Sequence, residues 1–486
     1  MRFWIKKEND QDPHVDWKDA YVFSVNRDTG STLYSSLPTV WYHLNQMILD
    51  PLYEDLYIIA LSAFGIDKRV SRRLFDDCWT RDISVSIPVL EYDSWKKTES
   101  DWNKMLTFLT GDRWKISFRP TDAVCSRHEH KNRKKIDISK CNCVSLFSGG
   151  LDSFCGAIHL MQSGLSPCLV GHNEYPKLRY KQEKFCQNFR DCFPAQHAVF
   201  VGFTAGSRAP YSLHGSLPGT ENTSRGRSLL FLSAALSVAG IMGENTPVYI
   251  PENGFIGLNV ALTGSRKGSC STRTTHPYFL RQLKDILTVV GIKNPINNIF
   301  AFQSKREIVR SVKDCDAFQR GYKETISCSH PCVSRYNRSG SREYPINCGY
   351  CYPCIIRKSS LLDVSDEGYS HMESPSKFLD DYSESDKSAD LNAVVSSIYR
   401  FQTSNDEQLR RLIRKTGSLS QYETEQFLRL YKSSMNDIIE LFRMDPGMER
   451  YIKWDISFIH IFILTIIKTI KNLPPRLTPF SSTLFV

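Results

Sequence analysis

No stretch of this 486-residue sequence reaches the ~20 consecutive apolar residues that a membrane-spanning helix needs. The nearest is the twelve-residue run 456–467 (ISFIHIFILTII). It reads as a buried helix or strand, with a membrane-surface or partner-binding segment as the alternative. The first ten residues, MRFWIKKEND, have no apolar core followed by a small-residue cleavage site, so no secretory signal is expected. Internal repeats are absent, which excludes repeat architectures. Charge is not extreme either: 23% of residues are charged, an ordinary share for a soluble protein. Residues 1–135 contain no catalytic constellation.

Cysteine, by contrast, is plentiful. With no export signal the fifteen cysteines are expected to stay reduced in the cytoplasm, and clusters among them read as metal ligands. Hydrophobic residues make up 41%, enough for a sizeable core, and the length fits two or three domains. The formal net charge is +10. A positive field suits nucleic acid, and it also suits an enzyme that gathers ATP and an anionic substrate. The basic run 127–135 (RHEHKNRKK) reads first as a solvated linker, and otherwise as a phosphate-backbone contact.

The most informative stretch is VSLFSGGLDS, residues 144–153. An apolar run breaks at Ser148-Gly149-Gly150 and resumes with Leu151, Phe154, Cys155 and Ile158 at helical spacing. The reading is strand, tight loop, helix. That arrangement aims backbone N–H groups and a helix N-terminus at one point, as a phosphate requires. Glycine lets the backbone approach the anion. Ser148 and Ser153 offer hydroxyls, and Asp152 offers a carboxylate for Mg2+.

Downstream, strand and helix patterns alternate: strands at 167–172, 198–203 and 247–250, helices at 181–188 and 227–240. This order predicts a parallel sheet covered by helices, with ligands beyond the carboxyl ends of the strands. In residues 1–135, runs at 20–25, 56–64, 83–90 and 114–118 predict an α+β unit with several strands. Residues 370–388 read as a linker, and 391–400, 406–416 and 421–443 as amphipathic helices. The predicted organisation is an N-terminal α+β accessory domain at 1–135, a catalytic domain at 141–365 and a helical region at 390–486.

Cys348, Cys351 and Cys354 form C-x2-C-x2-C, with Cys328 and Cys332 upstream. Three thiolates so spaced can wrap one Zn2+, with a fourth from a nearby loop, and four leave no open position. The spacing leaves Cys328 and Cys332 both open as that fourth ligand, with His330 a weaker candidate. Arg357 and Lys358 follow and are expected to offset the site's negative charge. Iron–sulfur signatures are spaced differently.

The string Ser-Gly-Gly-Leu-Asp-Ser resembles the PP-loop of the ATP-pyrophosphatase families, which cleave ATP between the α- and β-phosphates. With the C-x2-C-x2-C motif, residues 143–361 resemble the 7-cyano-7-deazaguanine synthase (QueC) family. Gly226-Arg227-Ser228, Ser304-Lys305-Arg306-Glu307-Ile308 and Thr325-Ile326-Ser327-Cys328 are similar to three further segments of that family, and the last selects Cys328 as fourth ligand. The family's Asp-Cys-Arg-Pro-Glu-Phe corresponds here to Thr274-Thr275-His276-Pro277-Tyr278-Phe279, without either carboxylate. With Pro251-Glu252-Asn253-Gly254 and residues 271–277, the chain most resembles the QueC-like proteins of bacterial anti-phage systems of the Qat type.

The resemblance implies a Rossmann-like PP-loop domain, of the adenine nucleotide alpha hydrolase type, that uses ATP, Mg2+ and Zn2+. It implies that a 7-deazaguanine carboxylate is adenylated and passed to an amine of a partner protein from the same defence system. Ser148, Gly149, Gly150, Leu151, Asp152 and Ser153 would hold ATP, while Asp152, Lys305 and Arg227 would act catalytically. Glu252, Asn253, Arg273 and His276 would contact the substrate, Glu252 at the base edge. Alternatives are nitrile formation with ammonia, a tRNA-modifying PP-loop enzyme, or a non-enzymatic nucleotide-sensing scaffold.

Overall fold

The computed structural model describes residues 1–8, 17–26, 31–44, 49–125, 135–221, 225–262, 273, 275–336 and 344–452. The apolar run 456–467, residues 271, 272 and 274, and all of the basic run except Lys135 lie outside the described residues.

The strands are β1 (Arg2–Lys7), β2 (Tyr21–Asn26), β3 (Leu33–Ser35), β4 (Asp82–Val89), β5 (Arg113–Pro120), β6 (Cys143–Leu146), β7 (Pro167–His172), β8 (Val199–Phe203), β9 (Ala205–Ser207), β10 (Tyr211–Ser212), β11 (Gly215–Ser216), β12 (Val248–Ile250) and β13 (Ile296–Asn298). They form two sheets flanked by helices. The second sheet runs β13-β12-β6-β7-β8 and every pairing in it is parallel. β7 shows no in–out alternation because both its faces are covered: every residue of it is buried.

The first sheet corrects the α+β expectation for residues 1–135. β1, β2, β4 and β5 pair parallel, and helices separate β3 from β4 and β4 from β5. The run 56–64, read as strand-like, is the middle of the helix Pro51–Arg69. Every residue from Tyr53 to Asp67 in that helix is buried, so no 3.6-residue alternation survives in the sequence.

Residues 205–216, within the expected 141–365 unit, supply β9, β10 and β11 to the first sheet, where β9 and β10 add antiparallel. One core extends from Phe3 to Ile296 and joins the two sheets. The predicted C-terminal helices are Ala389–Thr403, Asp406–Arg414 and Gln421–Arg443, and they pack around residues 348–356. The expected linker 370–388 holds a further helix, Pro375–Asp381, capped by Ser374 and anchored by buried Phe378 and Leu379. Among the described residues no helix is long and apolar enough to cross a membrane.

Candidate active site and metal centre

β6 ends at Leu146, the chain turns through Phe147-Ser148-Gly149-Gly150, and the helix Leu151–Gln162 begins. Gly149 has φ +81°, and a Cβ there would stand 3.3 Å from Gln182 and Leu178. A Cβ on Gly150 would stand 3.2 Å from the carbonyl oxygen of Ile326. Gly149 is thus favoured by its left-handed conformation, and at Gly150 a side chain would crowd the Ile326 carbonyl. Ser148 Oγ accepts the Gly150 N–H at 3.2 Å, and Ser153 Oγ donates to Gly150 O at 3.0 Å. The Leu151 N–H donates to Ser327 Oγ at 3.2 Å.

Asp152 lies in the first turn of that helix. Its Oδ2 accepts from Lys305 Nζ at 3.0 Å and from Asn253 Nδ2 at 2.9 Å. Its Oδ1 is buried without a hydrogen-bond partner. Lys305 opens the helix Lys305–Val312, whose start is fixed by a Ser304–Glu307 capping box. Asn253 is fully buried and caps the helix Gly254–Leu258 by accepting the Ile256 N–H, so its amide is locked at both ends. The three side chains follow β6, β12 and β13, which are neighbours in the sheet. Three adjacent strand ends thus deliver one carboxylate, one amide and one ammonium to a single point.

Arg227, Arg273 and His276 are engaged away from Asp152. Arg227 opens the helix Arg227–Met242, is half exposed, and donates to Glu174 Oε2 at 2.9 Å just beyond β7. Glu252 is half-buried between β12 and Asn253. Arg273 donates to the Phe108 carbonyl at 2.7 Å and its guanidinium lies 4.5 Å over the Phe108 ring. His276 is buried: Nδ1 accepts the Tyr278 N–H at 3.1 Å and Nε2 meets Thr416 Oγ1 at 3.0 Å. Burial lowers its pKa to about 3, so the ring is a neutral helix cap. No described contact joins Arg227, Arg273 or His276 to Asp152. Two residues that sequence reasoning leaves without a role at Asp152 and its loop are now visible there: Asn253 as the amide partner of Asp152, and Ser327 on the loop. The signal for Ser327 was its place beside Cys328; nothing local marks Asn253 as the partner of Asp152.

The ligand atoms of Cys328, Cys348, Cys351 and Cys354 all lie within 4.8 Å of one another, and Cys332 is not among them. Cys348 and Cys354 Sγ are 3.8 Å apart, as are Cys351 and Cys328 Sγ. Ligands ~2.3 Å from a tetrahedral metal stand about 3.8 Å apart, so the donor set fits a metal such as zinc. Backbone N–H groups of His330 and Cys348 point at Cys328 Sγ at 3.2 and 3.3 Å, and that of Cys351 at Cys348 Sγ at 3.4 Å. Such donors favour thiolates. Hydrogen bonds from Cys328 and its neighbours pull Cys348 below the ordinary thiol range. Gly349, φ +93°, makes the turn between ligands; a Cβ there would stand 2.4 Å from the His371 carbonyl oxygen. The two cations divide: Lys358 lies close enough to Cys354 and Cys348 to interact with their charge as expected, whereas Arg357 is engaged elsewhere. Arg357 is fully buried on Thr325, Tyr322 and Asp366, and Lys358 Nζ lies 4.5 Å over the Tyr369 ring. No protein-family model matches this chain, and no curated protein matches it.

Proposed function

We propose that the chain is a PP-loop ATP-pyrophosphatase of the QueC-like kind, an enzyme that adenylates a 7-deazaguanine-type carboxylate and passes it to an amine of a partner protein. The observation that carries this reading is the convergence of Lys305 and Asn253 on Asp152 beside the Gly149-Gly150 turn. The sheet supports it. Numbered from β6, its strands run 3-2-1-4-5, a doubly wound order, and the cluster lies at the carboxyl ends of strands 1, 4 and 5, beside the switch point where such folds bind ligands.

The residues fit a nucleotide and its metal. A Cβ at either glycine would crowd the turn, as expected of a loop that lets backbone approach phosphate. Asp152 Oδ1, buried and unpartnered, is an oxygen of the type Mg2+ takes. Bound there, Mg2+ would neutralise charge on the phosphates. The Ser148 and Ser153 hydroxyls, at the N-terminus of the helix Leu151–Gln162, would hold the β- and γ-phosphates as they leave. Lys305 would stabilise charge developing near the α-phosphate.

In the reaction a substrate carboxylate oxygen attacks the α-phosphorus and the bond to the β-phosphate oxygen breaks. An amine nitrogen then attacks the acyl carbon, loses a proton and expels AMP, leaving an amide. Arg227 and Glu252 line the same edge of the sheet and remain candidates for substrate contact; Arg273 and His276 face the Glu99–Thr110 helix and Thr416 instead.

The test is pyrophosphate release from ATP with 7-carboxy-7-deazaguanine, with mass spectrometry of products, in the wild type and Asp152→Ala. Release that needs Asp152, with a neighbouring-gene product gaining the base's mass, is the expected result. A small-molecule amide or nitrile made with ammonium would reassign the acceptor. Absence of release in both conditions would overturn the deazaguanine reading.

A further inference from the structure

One short segment, Thr325-Ile326-Ser327-Cys328, lies between the glycine loop and the four cysteines and touches both. On the loop side, the Ile326 N–H donates to Gly149 O at 3.1 Å, and Ser327 Oγ accepts the Leu151 N–H at 3.2 Å. On the other side, the Ser327 N–H donates to Asn347 Oδ1 at 2.9 Å, and Asn347 Nδ2 donates to Thr325 O at 3.0 Å. Asn347 directly precedes Cys348, whose N–H points at Cys328 Sγ at 3.3 Å. Arg357, fully buried in the helix that begins after Cys351, donates to both Thr325 oxygens. Every step from sulfur to loop is one hydrogen bond or one residue long. The position of the Cys328 sulfur therefore fixes where Ser327 sits on the loop.

The Leu151 contact has chemical weight. Leu151 is the first residue of its helix, and its N–H has no intrahelical acceptor. It belongs to the set that a helix N-terminus offers an anion. A hydroxyl that accepts this bond keeps its own proton to donate. Ser327 thus extends the helix N-terminus by one O–H group.

We propose that Ser327 is a positioning residue of the phosphate loop and that the four-cysteine metal centre is its anchor, so that metal occupancy sets how tightly the loop holds a nucleoside triphosphate. The proposal rests on the ATP reading above, and its test separates the two. The full-length protein is followed by hydrogen exchange of the peptide 144–155 and by calorimetric ATP binding, with zinc content measured throughout. Ser327→Ala is expected to keep its zinc and its unfolding midpoint, to speed exchange in that peptide, and to weaken ATP binding about five- to tenfold, the share of one hydrogen bond. Ser327→Thr, which keeps the hydroxyl, is expected to restore both. Chelated wild type is expected to lose more affinity than Ser327→Ala and to regain it with added zinc.

Unchanged exchange and affinity in Ser327→Ala would overturn the proposal. So would chelated protein that binds ATP as tightly as loaded protein. A wild type with no ATP affinity would overturn the ATP reading instead, and the exchange readout would then decide the link between metal and loop alone.

Discussion

At the scale of single residues, the Asp152–Lys305 pair is the sharpest object in the molecule. Their side chains are 17% and 8% exposed, so water screens the pair little. Lys305→Met would leave a largely buried carboxylate with only Asn253, and the loss in urea unfolding free energy should be ~2–3 kcal/mol. Adding Asp152→Asn to Lys305→Met should recover part of that loss. A double variant as unstable as the sum of the singles would show that the pair is not coupled. Three other buried groups respond to pH in the mildly acidic range. Burial lowers His276 to about 3 and His172 to about 4, while an unfolded chain protonates histidine near 6.5. Below that value the unfolded state binds more protons than the native state, so these two groups remove stability as pH falls. Asp55 has the opposite sign: burial pushes its carboxyl up to about 7, so the native state holds the extra proton and stability falls as pH rises toward 7. Two histidines against one carboxyl leave a net loss of ~1.4 kcal/mol between pH 6 and pH 5, read by urea titration at each pH. His276→Gln should flatten this slope, and Asp55→Asn should steepen it. The glycine loop and three of the cysteines were legible in the sequence because their chemistry is local. His276 was not, because what makes it a cap is burial under Phe108 and Thr416, residues far away in the chain.

At the scale of elements, legibility followed how each element is buried. The strands at 167–172, 198–203 and 247–250 stand within a residue of their reading because each is a short, mostly apolar run between polar or turn-forming segments. β13, three residues reading INN, carries no such signal, and its place is set by pairing with β12. The helix Pro51–Arg69 was misread because burial on all sides removes its period. The helix Gln421–Arg443 was read correctly, but its purpose was hidden. It presents Asp437 and Glu440 to Arg306, the neighbour of Lys305, with Arg306 Nη1 3.2 Å from Asp437 Oδ1 and Nη2 2.9 Å from Asp363 Oδ1. Arg429 adds a bond to Glu307 at 2.7 Å. The helix Gln421–Arg443 therefore clamps the helix that offers Lys305 to Asp152. Arg306 is 6% exposed, so Arg306→Met should cost ~3 kcal/mol in denaturant unfolding. Burial already raises the Asp437 pKa, and the loss of Arg306 raises it further. The cost should then be smaller in acid, where Asp437 is shifted toward its protonated form, than at pH 8. Equal costs at both would mean that Asp437 does not depend on Arg306.

At the scale of the whole molecule, the two sheets depend on each other for their cores. The helix Arg227–Met242 is buried along nearly its whole length, and one side of it lies against Pro51–Arg69. The approach is close: a Cβ on Gly226 would stand 3.0 Å from the Phe64 backbone, and one on Gly240 would stand 2.6 Å from the Tyr53 ring. Polar groups cross the same seam. Trp41 Nε1 donates to Ser237 Oγ at 2.8 Å, Tyr53 Oη donates to Asn294 Oδ1 at 2.5 Å, and buried Asp67 accepts the N–H groups of both Arg225 and Gly226. Composition shifts and a basic run mark a boundary near residue 135, but a seam made of two apolar helices leaves no mark in either segment read alone. A chain starting at residue 136 would expose that helix face and leave Trp41's and Asp67's partners without them. It is expected to be insoluble, or to lack a cooperative unfolding transition. Co-expression with residues 1–135 should restore a soluble complex that unfolds in one step. A 136–486 fragment that unfolds cooperatively on its own would show instead that the catalytic sheet needs no help from the first, and that the shared core is a docking contact between independent units.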